Sequence, residues 1–123
     1  MARLTTLVDT SVLVGTVGTP DVGPWCVSAV SVGELEAGVL LATDGQTRAA
    51  RLRRLGAVLA EAPLLGVDRA VAARYGELRA ASGRAPSNDL WIAATALAHD
   101  LTLATADRRQ SALPLVRTSL LAG

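Results

Sequence analysis

The chain is predicted to fold as an α/β domain in which helices cover both faces of a central parallel β-sheet. Short apolar runs alternate along the sequence with longer segments of helical periodicity, and parallel strands are usually connected through such helices. Aromatic residues make up only 2% of the chain, so its core must consist of Leu, Val and Ala side chains packed in layers. A length of 123 residues suits one hydrophobic core, and we therefore expect a single domain over residues 1–123.

Five short apolar runs are predicted as the strands of this sheet. They lie, in order, at Leu4–Val8, Trp25–Val30, Pro63–Val67, Leu101–Ala104 and Leu115–Arg117. Acidic residues follow three of these runs, at Asp9, Asp68 and Asp107. Ligands of open α/β sheets bind beyond the carboxyl ends of the strands, which is where Asp9 and Asp107 fall.

Helical periodicity fills the intervals, apart from a loop rich in Gly, Thr and Pro over Gly15–Pro24. The predicted helices begin after the possible cap Thr10-Ser11 and then cover Ser31–Leu41, Gln46–Ala60, Asp68–Ser82 and Asn88–Asp100. Ser31 and Glu34 match the capping-box pattern. The helix over Asn88–Asp100 has an almost wholly apolar body and is expected to be buried.

The helix predicted over Gln46–Ala60 has two contrasting faces. Apolar side chains recur on one side, at Leu52, Leu55 and Leu59. Arginines recur at regular spacing on another side, at Arg48, Arg51 and Arg54. Such a basic face is either a solvated surface or a guide for the phosphates of a nucleic acid, and the pattern alone leaves both open.

The composition excludes several classes of protein. No apolar run reaches the ~18 residues of a membrane-spanning helix and no secretory signal is apparent, so we expect a cytoplasmic protein without a membrane partner. Cys26 and His99 are the only residues of their types, which excludes an internal disulfide and a zinc site. Cys26 is expected in the core, and His99 in solvent near a helix end.

Catalysis by histidine or serine is excluded as well. A single histidine cannot supply both the acid and the base that a metal-independent ribonuclease requires, and the G-x-S-x-G, Walker and dinucleotide-binding patterns are absent. What remains is a set of carboxylates near the ends of strands and the starts of helices, namely Asp9, Glu34, Asp89 and Asp107. Such oxygen ligands suit Mg²⁺ or Mn²⁺, which can support phosphodiester cleavage.

Each acid also has a simpler explanation. Asp9, Asp89 and Asp107 could stabilise helix N-termini, and Glu34 could close its capping box. Asp68 illustrates the ambiguity, because it too follows a strand and opens a helix, yet has no assigned chemistry. Position alone therefore does not separate a helix cap from a metal ligand.

Four blocks of sequence are more specific when they are taken together. They are Val8–Leu13, Gly33–Val39, Asn88–Ala96 and Leu103–Asp107. This arrangement resembles the signature of PIN-domain ribonucleases, and within them the VapC-type toxins of VapBC toxin–antitoxin pairs. The resemblance implies a parallel sheet of four or five strands, an acidic pocket that holds Mg²⁺ or Mn²⁺, and endonucleolytic cleavage of RNA.

The resemblance also implies roles for individual residues. The metal-site acids of the family fall on Asp9, Glu34, Asp89 and Asp107. Thr10 or Ser11, and Thr105, stand where the family has small hydroxyl residues that support the pocket. Glu36 is expected to face solvent, because the neighbouring Leu35 should face the core. An aromatic residue is expected shortly after Asp107, where this chain has Arg108-Arg109-Gln110.

Other classes of α/β protein fit less well. A phosphoacceptor receiver domain and a dehalogenase-like phosphatase both need a lysine beside their acids, whereas all twelve basic residues here are arginine. A dehalogenase-like site also needs a second acid two residues after Asp9, where Ser11 stands. A PIN-type module that has lost catalysis and only binds a partner remains an alternative.

The apolar content points to binding partners. Half of the residues are apolar, which is more than one small core can hide, so some Leu and Val side chains should form exposed interfaces. The resemblance supplies two candidates, a homodimer contact and a groove for a helix of a VapB-like antitoxin. Trp91 is expected in the core or in such an interface rather than stacked on a base.

Overall fold

The computed structural model describes residues 3–15 and 20–121, and within them the chain forms a five-stranded sheet with helices between the strands. The strands are β1 (Thr6–Val8), β2 (Trp25–Ser28), β3 (Leu64–Leu65), β4 (Thr102–Thr105) and β5 (Thr118–Leu120). The helices are α1 (Thr10–Gly15), α2 (Ala29–Leu41), α3 (Gly45–Glu61), α4 (Arg69–Ser82), α5 (Ser87–Ala98) and α6 (Arg108–Ser111). The loop predicted over Gly15–Pro24 lies partly outside the described residues.

All strand pairings in the sheet are parallel, and the strand order is β3-β2-β1-β4-β5. β1 is central, with Leu7 opposite both Cys26 of β2 and Leu103 of β4. The chain moves outward in one direction from β1 to β3 and in the other direction from β4 to β5. Because such a reversal opens a crevice at the carboxyl ends of the strands, the ends of β1 and β4 are where a ligand site is expected.

The two faces of the sheet carry separate hydrophobic layers, because side chains alternate along each strand. Leu7, Cys26 and Leu103 pack with the buried side chains of α4 and α5. Val8, Val27 and Ala104 belong to the other layer, with buried side chains of α1, α2 and α3. The predicted α/β class with helices on both faces is therefore confirmed, as is the buried position of the apolar helix α5.

The last strand lies later in the chain than the prediction over Leu115–Arg117. β5 begins at Thr118, whereas Leu115 has a positive φ of 72° and is exposed. A turn precedes the strand, in which the N–H of Val116 donates to the carbonyl of Pro114. The apolar run was misleading because only Val116 within it is buried, packed against the layer that contains α5.

The predicted capping box at Ser31 and Glu34 is also wrong. α2 begins at Ala29, and the hydroxyl of Ser28 caps it by accepting a hydrogen bond from Val30 N at 3.0 Å. Ser31 is therefore inside the helix, where it is fully buried. Its side chain and that of Glu34 are thus available for contacts with another element.

The leucine stripe predicted on the helix after α2 is only partly correct. Leu55 of α3 is buried together with Val58, whereas Leu52 and Leu59 are exposed. The buried side chains of α3 and its C-cap are Leu55, Val58 and Ala62, which pack in the same hydrophobic layer as α2. Among the described residues, no helix combines the length and the apolar character that crossing a membrane would require.

Candidate active site

Asp9 is the most enclosed of the predicted site acids. It follows β1 directly and is only 4% exposed. Its Oδ2 accepts two hydroxyl hydrogen bonds, from Ser11 Oγ at 2.6 Å and from Thr105 Oγ1 at 2.8 Å. Because both hydroxyls bind the same oxygen, they leave Oδ1 for an outside ligand.

The backbone of the chain after β4 fixes the two hydroxyls that hold Asp9. The N–H of Ala106 donates to Ser11 Oγ at 2.9 Å, and the N–H of Asp107 donates to Thr105 Oγ1 at 3.0 Å. The two hydroxyl oxygens lie 3.1 Å apart. Each hydroxyl has one proton, and Asp9 accepts both of them, so the carboxylate is held from two directions by groups that are themselves oriented.

A third hydroxyl, that of Thr10, supports Glu34. Thr10 Oγ1 lies 2.8 Å from Glu34 Oε1 and 2.8 Å from Ser31 Oγ. The Thr10 hydroxyl is the donor in both contacts, so its single proton is shared between Glu34 Oε1 and Ser31 Oγ. Thr10 and Ser11 therefore support different acids, which resolves the choice that the resemblance left open.

Asp89 lies in the first turn of α5 and is half-buried. It does not cap the helix, because Pro86 is the N-cap and makes no side-chain bond. Burial raises the pKa of the Asp89 carboxyl, and the negative charges of Asp9, Asp107 and Glu34 raise it further. This dependence on all three charges indicates that the structure brings the four predicted acids into one electrostatic environment.

Asp107 combines the two roles that the sequence left open. It is the N-cap of α6, and its Oδ1 accepts a hydrogen bond from Arg109 N at 2.8 Å. Its backbone N–H is part of the network that holds Asp9. Because the cap uses one oxygen, Oδ2 of Asp107 remains for contacts with a ligand.

The other acids and reactive side chains lie outside this group. Asp68 caps α4 through a 3.0 Å hydrogen bond from Val71 N, which gives it the simple role that Asp9 and Asp89 lack. Glu36 is exposed while Leu35 is buried, as predicted. Cys26 is a free core cysteine whose pKa burial raises to about 11, and His99 is exposed at the end of α5.

Gln110 is a site neighbour that sequence reasoning missed. It is 1% exposed, and its Nε2 donates to the backbone carbonyl of Asp89 at 2.8 Å. The bond ties α6 to the first turn of α5 and fixes which end of the amide faces Asp89. The sequence did contain one signal: polar residues stand shortly after Asp107, where an aromatic residue was expected. If such a polar side chain is buried, it must find a polar partner.

Arg79 is a second residue that the sequence did not single out. Its guanidinium donates to the carbonyls of Gly83 and Ala85, both at 2.8 Å, and to Ser87 Oγ at 3.2 Å. It also donates to Tyr75 Oη at 3.1 Å, and the ring of Tyr75 stacks on Trp91 with 3.9 Å between centroids. Arg79 thus fastens the turn that leads into α5 and Asp89, and Trp91 packs within the protein as predicted.

The donor set is open rather than a closed cage. Among residues 3–15 and 20–121, no group of three or more Asp, Glu, His or Cys side chains is arranged to hold a metal ion. Mg²⁺ usually retains several waters and binds through one or two carboxylates together with substrate phosphates, so it does not require three protein ligands assembled in advance. Oε1 of Gln110 is buried and accepts no hydrogen bond from the described residues.

Comparisons with known proteins agree on one family. The sequence profile of the PIN domain matches residues 6–115. Ribonuclease VapC4 from Mycobacterium tuberculosis is 42% identical over 118 residues, which cover 88% of this chain and 90% of that protein. The crystal structure of VapBC-5, a member of the VapBC family of toxin–antitoxin systems from the same organism, superimposes with a TM-score of 0.82 at 32% identity, covering 97% of this chain and 100% of that one.

A further solved structure extends this likeness beyond one organism. FitAcB from Neisseria gonorrhoeae matches with a TM-score of 0.77 at 27% identity and covers 93% of this chain and 96% of the other. The matches span nearly the whole described fold, including α2 with Glu34, the first turn of α5 with Asp89, and the ends of β1 and β4 that Asp9 and Asp107 follow. The chain therefore belongs to the PIN-domain family, as a homologue of the VapC ribonucleases.

Proposed function

We propose that this protein is a divalent-metal-dependent endoribonuclease that acts as the toxin of a type II toxin–antitoxin pair. The observation that carries the proposal is the hydrogen-bond network at the carboxyl ends of β1 and β4, in which Thr105 links Asp9 to the backbone of Asp107 and Thr10 orients the nearby Glu34. The negative charges of Asp9, Asp107 and Glu34 disfavour ionisation of Asp89, and a cation bound near these acids would relieve that repulsion. VapC ribonucleases of the PIN family are generally dependent on a divalent metal. Mg²⁺ or Mn²⁺ is the proposed ion.

Each acid has a defined part in this proposal. Asp9, held through Oδ2, presents Oδ1 as a rigid metal ligand, and Glu34 presents a carboxylate oriented by Thr10. Asp89, in the first turn of α5, and Asp107, at the N-cap of α6, are the proposed further ligands. A bound divalent cation supplies activation of water and stabilisation of charge on the phosphate. The chain's own residues keep the site acidic and orient the carboxylates.

The proposed partners follow from the relatives. The structurally similar VapBC-5 is described as a member of a toxin–antitoxin family, and we infer that this chain likewise binds a VapB-like antitoxin that blocks the pocket. We also infer a homodimer, because large apolar side chains remain exposed on α2 and α3. The proposed substrate is RNA, and the proposed location is the cytoplasm, where RNA and antitoxin meet.

The central test replaces single site acids with their neutral amides. Asp9→Asn and Asp89→Asn should each reduce RNA cleavage to background with Mg²⁺ or Mn²⁺ present, because each removes a metal ligand while keeping the shape of the side chain. Asp68→Asn is the matched control, since asparagine also caps helices and Asp68 lies outside the site. Cleavage is measured on purified RNA with mapped ends.

Two results would contradict this assignment. Wild-type rates in either site variant would place the chemistry elsewhere, and wild-type activity that survives complete chelation of divalent cations would remove the metal from the mechanism. A wild-type protein that binds the antitoxin but never cleaves RNA would instead favour the inert interaction module.

A further inference from the structure

A cavity of about 390 Å³ adjoins the acidic site on the side of α1, α2 and α3. Glu34 lines one part of it, and Arg51 and Arg54 of α3 line another. Val14, Leu35 and Gly38 supply the remaining walls. The cavity therefore connects one of the proposed metal-site acids with two guanidinium groups.

The three arginines of α3 do not form one uniform basic face. Arg51 donates to the carbonyl of Gly38 at 2.7 Å, and Arg48 donates to the carbonyl of Ala42 at 3.1 Å. These carbonyls lie in the last turn and at the C-cap of α2, where helix carbonyls lack intrahelical partners. Arg48 and Arg51 thus stabilise the C-terminal end of a neighbouring helix, where positive charge is favourable.

Arg54 differs from both. It is half-buried and lines the cavity, yet within residues 3–15 and 20–121 its guanidinium has no hydrogen-bond or ion-pair partner. Glu34 shares the cavity but is not paired with it, since its Oε1 accepts from Thr10. A partly desolvated cation without an acceptor is unfavourable, so this position suits an anion from outside the protein.

We propose that this cavity binds the RNA backbone next to the cleaved bond, with Arg54 as the ligand of a neighbouring phosphate. The inference rests on the proposed ribonuclease function and adds a substrate subsite to it. Guanidinium groups bind phosphate oxygens through paired N–H donors, and Arg54 has all of its donors available for this purpose. Val14 and Leu35 provide apolar surface for the adjoining sugar or base.

The charges around the cavity favour RNA over a segment of a protein partner. Two arginines outnumber the single glutamate, and the glutamate lies where the scissile phosphate and a cation would meet. An apolar helix in the cavity would leave the Arg54 guanidinium buried without an acceptor. A strand of RNA supplies a phosphate at every nucleotide, so one strand can engage the acids and Arg54 together.

The test compares Arg54→Gln with Arg48→Gln. Both variants lose one positive charge on α3, but only Arg54 lines the cavity. Binding of a fluorescent, mixed-sequence single-stranded RNA is measured by anisotropy in EDTA, which prevents cleavage, over a series of salt concentrations. Arg54→Gln should weaken binding about tenfold and lower the salt slope by about one, whereas Arg48→Gln should change the affinity by less than about twofold.

Two further measurements exclude indirect effects. Arg54→Gln should unfold close to the wild-type temperature, because the Arg54 side chain makes no hydrogen bond or ion pair with the described residues that the substitution could break. Its turnover of bis(p-nitrophenyl) phosphate with Mn²⁺ should equal that of the wild type, since this substrate has a single phosphate and does not extend into the cavity. Arg54→Lys should recover only part of the RNA affinity, because an ammonium lacks the paired donors.

Three results would overturn the inference. Equal RNA affinity and salt slope for the two glutamine variants would make Arg54 an ordinary surface charge. Loss of turnover on the small diester would place Arg54 in the catalytic centre instead of a subsite. Normal RNA binding with weakened antitoxin binding would assign the cavity to the protein partner. Failure of the ribonuclease proposal is seen separately, as absence of cleavage by a wild-type protein that still binds RNA.

Discussion

Three hydroxyl groups determine how the carboxylates of the site are presented. Ser11 and Thr105 both donate to one oxygen of Asp9, and Thr10 donates to Glu34. A carboxylate that is held in this way keeps its remaining oxygen in a fixed direction, so less ordering is needed when a ligand binds. Outer residues that orient metal ligands in this manner commonly affect metal affinity as strongly as the ligands' own geometry does.

We predict that Thr105→Val raises the concentration of Mg²⁺ or Mn²⁺ needed for half-maximal RNA cleavage by about tenfold or more. The substitution keeps the shape of a fully buried side chain but removes one of the two donors to Asp9. Thr95→Val is the control, since Thr95 is equally buried and its hydroxyl donates only to the carbonyl of Trp91. An unchanged metal requirement for Thr105→Val would mean that the hydroxyl network does not tune the site.

We predict that Asp89→Asn stabilises the metal-free protein at neutral pH. The pKa of Asp89 is raised in the folded state by burial and by Asp9, Asp107 and Glu34, so the folded chain holds this proton more tightly than the unfolded chain. The free energy of unfolding therefore falls as the pH rises from the unfolded pKa, roughly 3.9, through the raised folded value. The asparagine side chain of the variant cannot ionise and escapes this penalty.

Thermal unfolding over a pH series checks this prediction. The advantage of Asp89→Asn should be present at neutral pH and vanish at about pH 3, where the wild-type carboxyl is protonated in both states. Added Mg²⁺ should stabilise the wild type more than the variant, because Asp89→Asn removes one of the proposed metal ligands. Asp68→Asn should show neither effect, and an advantage of Asp89→Asn that is independent of pH would contradict the electrostatic explanation.

Individual residues were predicted from the sequence to different extents. The four acids were singled out as candidate metal ligands because their sequence blocks occur together. Whether an acid caps a helix depends on which N–H group its oxygen meets. Asp68 and Asp107 meet such groups, whereas Asp9 meets hydroxyls. Gln110 could not be predicted, because its partner is a backbone carbonyl far away in sequence.

At the scale of elements, the position of Asp89 depends on how α5 begins. Pro86 caps the helix without a side-chain bond, so the turn before it is fastened by Arg79 from α4 instead. The same guanidinium bonds to Tyr75, which stacks on Trp91 of α5. α4 and α5 are thus joined on both sides of the turn, and the first turn of α5 is further tied to α6 through Gln110.

We predict that Arg79→Gln destabilises the protein by about 1–3 kcal/mol and raises the metal requirement for RNA cleavage. Several hydrogen bonds to the turn before α5 are lost, so Asp89 is held less firmly. The pKa of Tyr75, which the hydrogen bond from Arg79 lowers, should rise, and this tyrosine can be titrated alone because the chain has only one. Urea unfolding, metal titration and tyrosine absorbance provide the three measurements.

Arg74→Gln on the same helix is the control for this prediction. Arg74 pairs only with Glu77 on the surface, and such exposed pairs contribute about 0–1 kcal/mol. The two arginine variants should therefore differ in stability, in metal requirement and in the pKa of Tyr75. If Arg79→Gln lost stability while its metal requirement stayed at the wild-type value, the turn would support the fold without positioning Asp89.

Element types were easier to predict from the sequence than element boundaries. Apolar strands and the periodicity of α2 to α5 identified the alternation correctly. Predicted helix boundaries were wrong where two residues could each serve as the N-cap. Ser28 and Ser31 are such a pair, and Ser28 is the one that caps α2. The strand after α6 was misplaced because the buried Val116 made a turn resemble a strand. Tertiary packing decides such cases, and it is not visible in local sequence.

For the whole molecule, the two hydrophobic layers do not use all of the apolar residues. Leu40 and Leu41, at the end of α2, are 77% and 75% exposed, and Leu52 and Leu59 of α3 are also exposed. These four side chains define what we call the α2–α3 surface. Isolated exposed leucines are ordinary, but several on adjacent helices indicate an interface.

We predict that the purified protein is a dimer at micromolar concentration and that a VapB-like antitoxin converts it into a larger complex without RNA cleavage. The physical reason is that association removes the α2–α3 surface, or part of it, from water. Leu40→Glu combined with Leu41→Glu should therefore shift the protein toward monomer or weaken antitoxin binding. Sedimentation equilibrium and RNA cleavage with added antitoxin are the measurements.

The matched control for this last prediction is Leu115→Glu. Leu115 is 59% exposed but lies in the turn before β5, outside the α2–α3 surface. A charge placed there should leave both association reactions intact, whereas charges on α2 must be desolvated when the surface is covered. A wild-type protein that sediments as a monomer would disprove the dimer, and full cleavage by the antitoxin-bound protein would disprove inhibition. If the α2 variant associated as well as the Leu115 variant, the interface would have to lie on another face of the molecule.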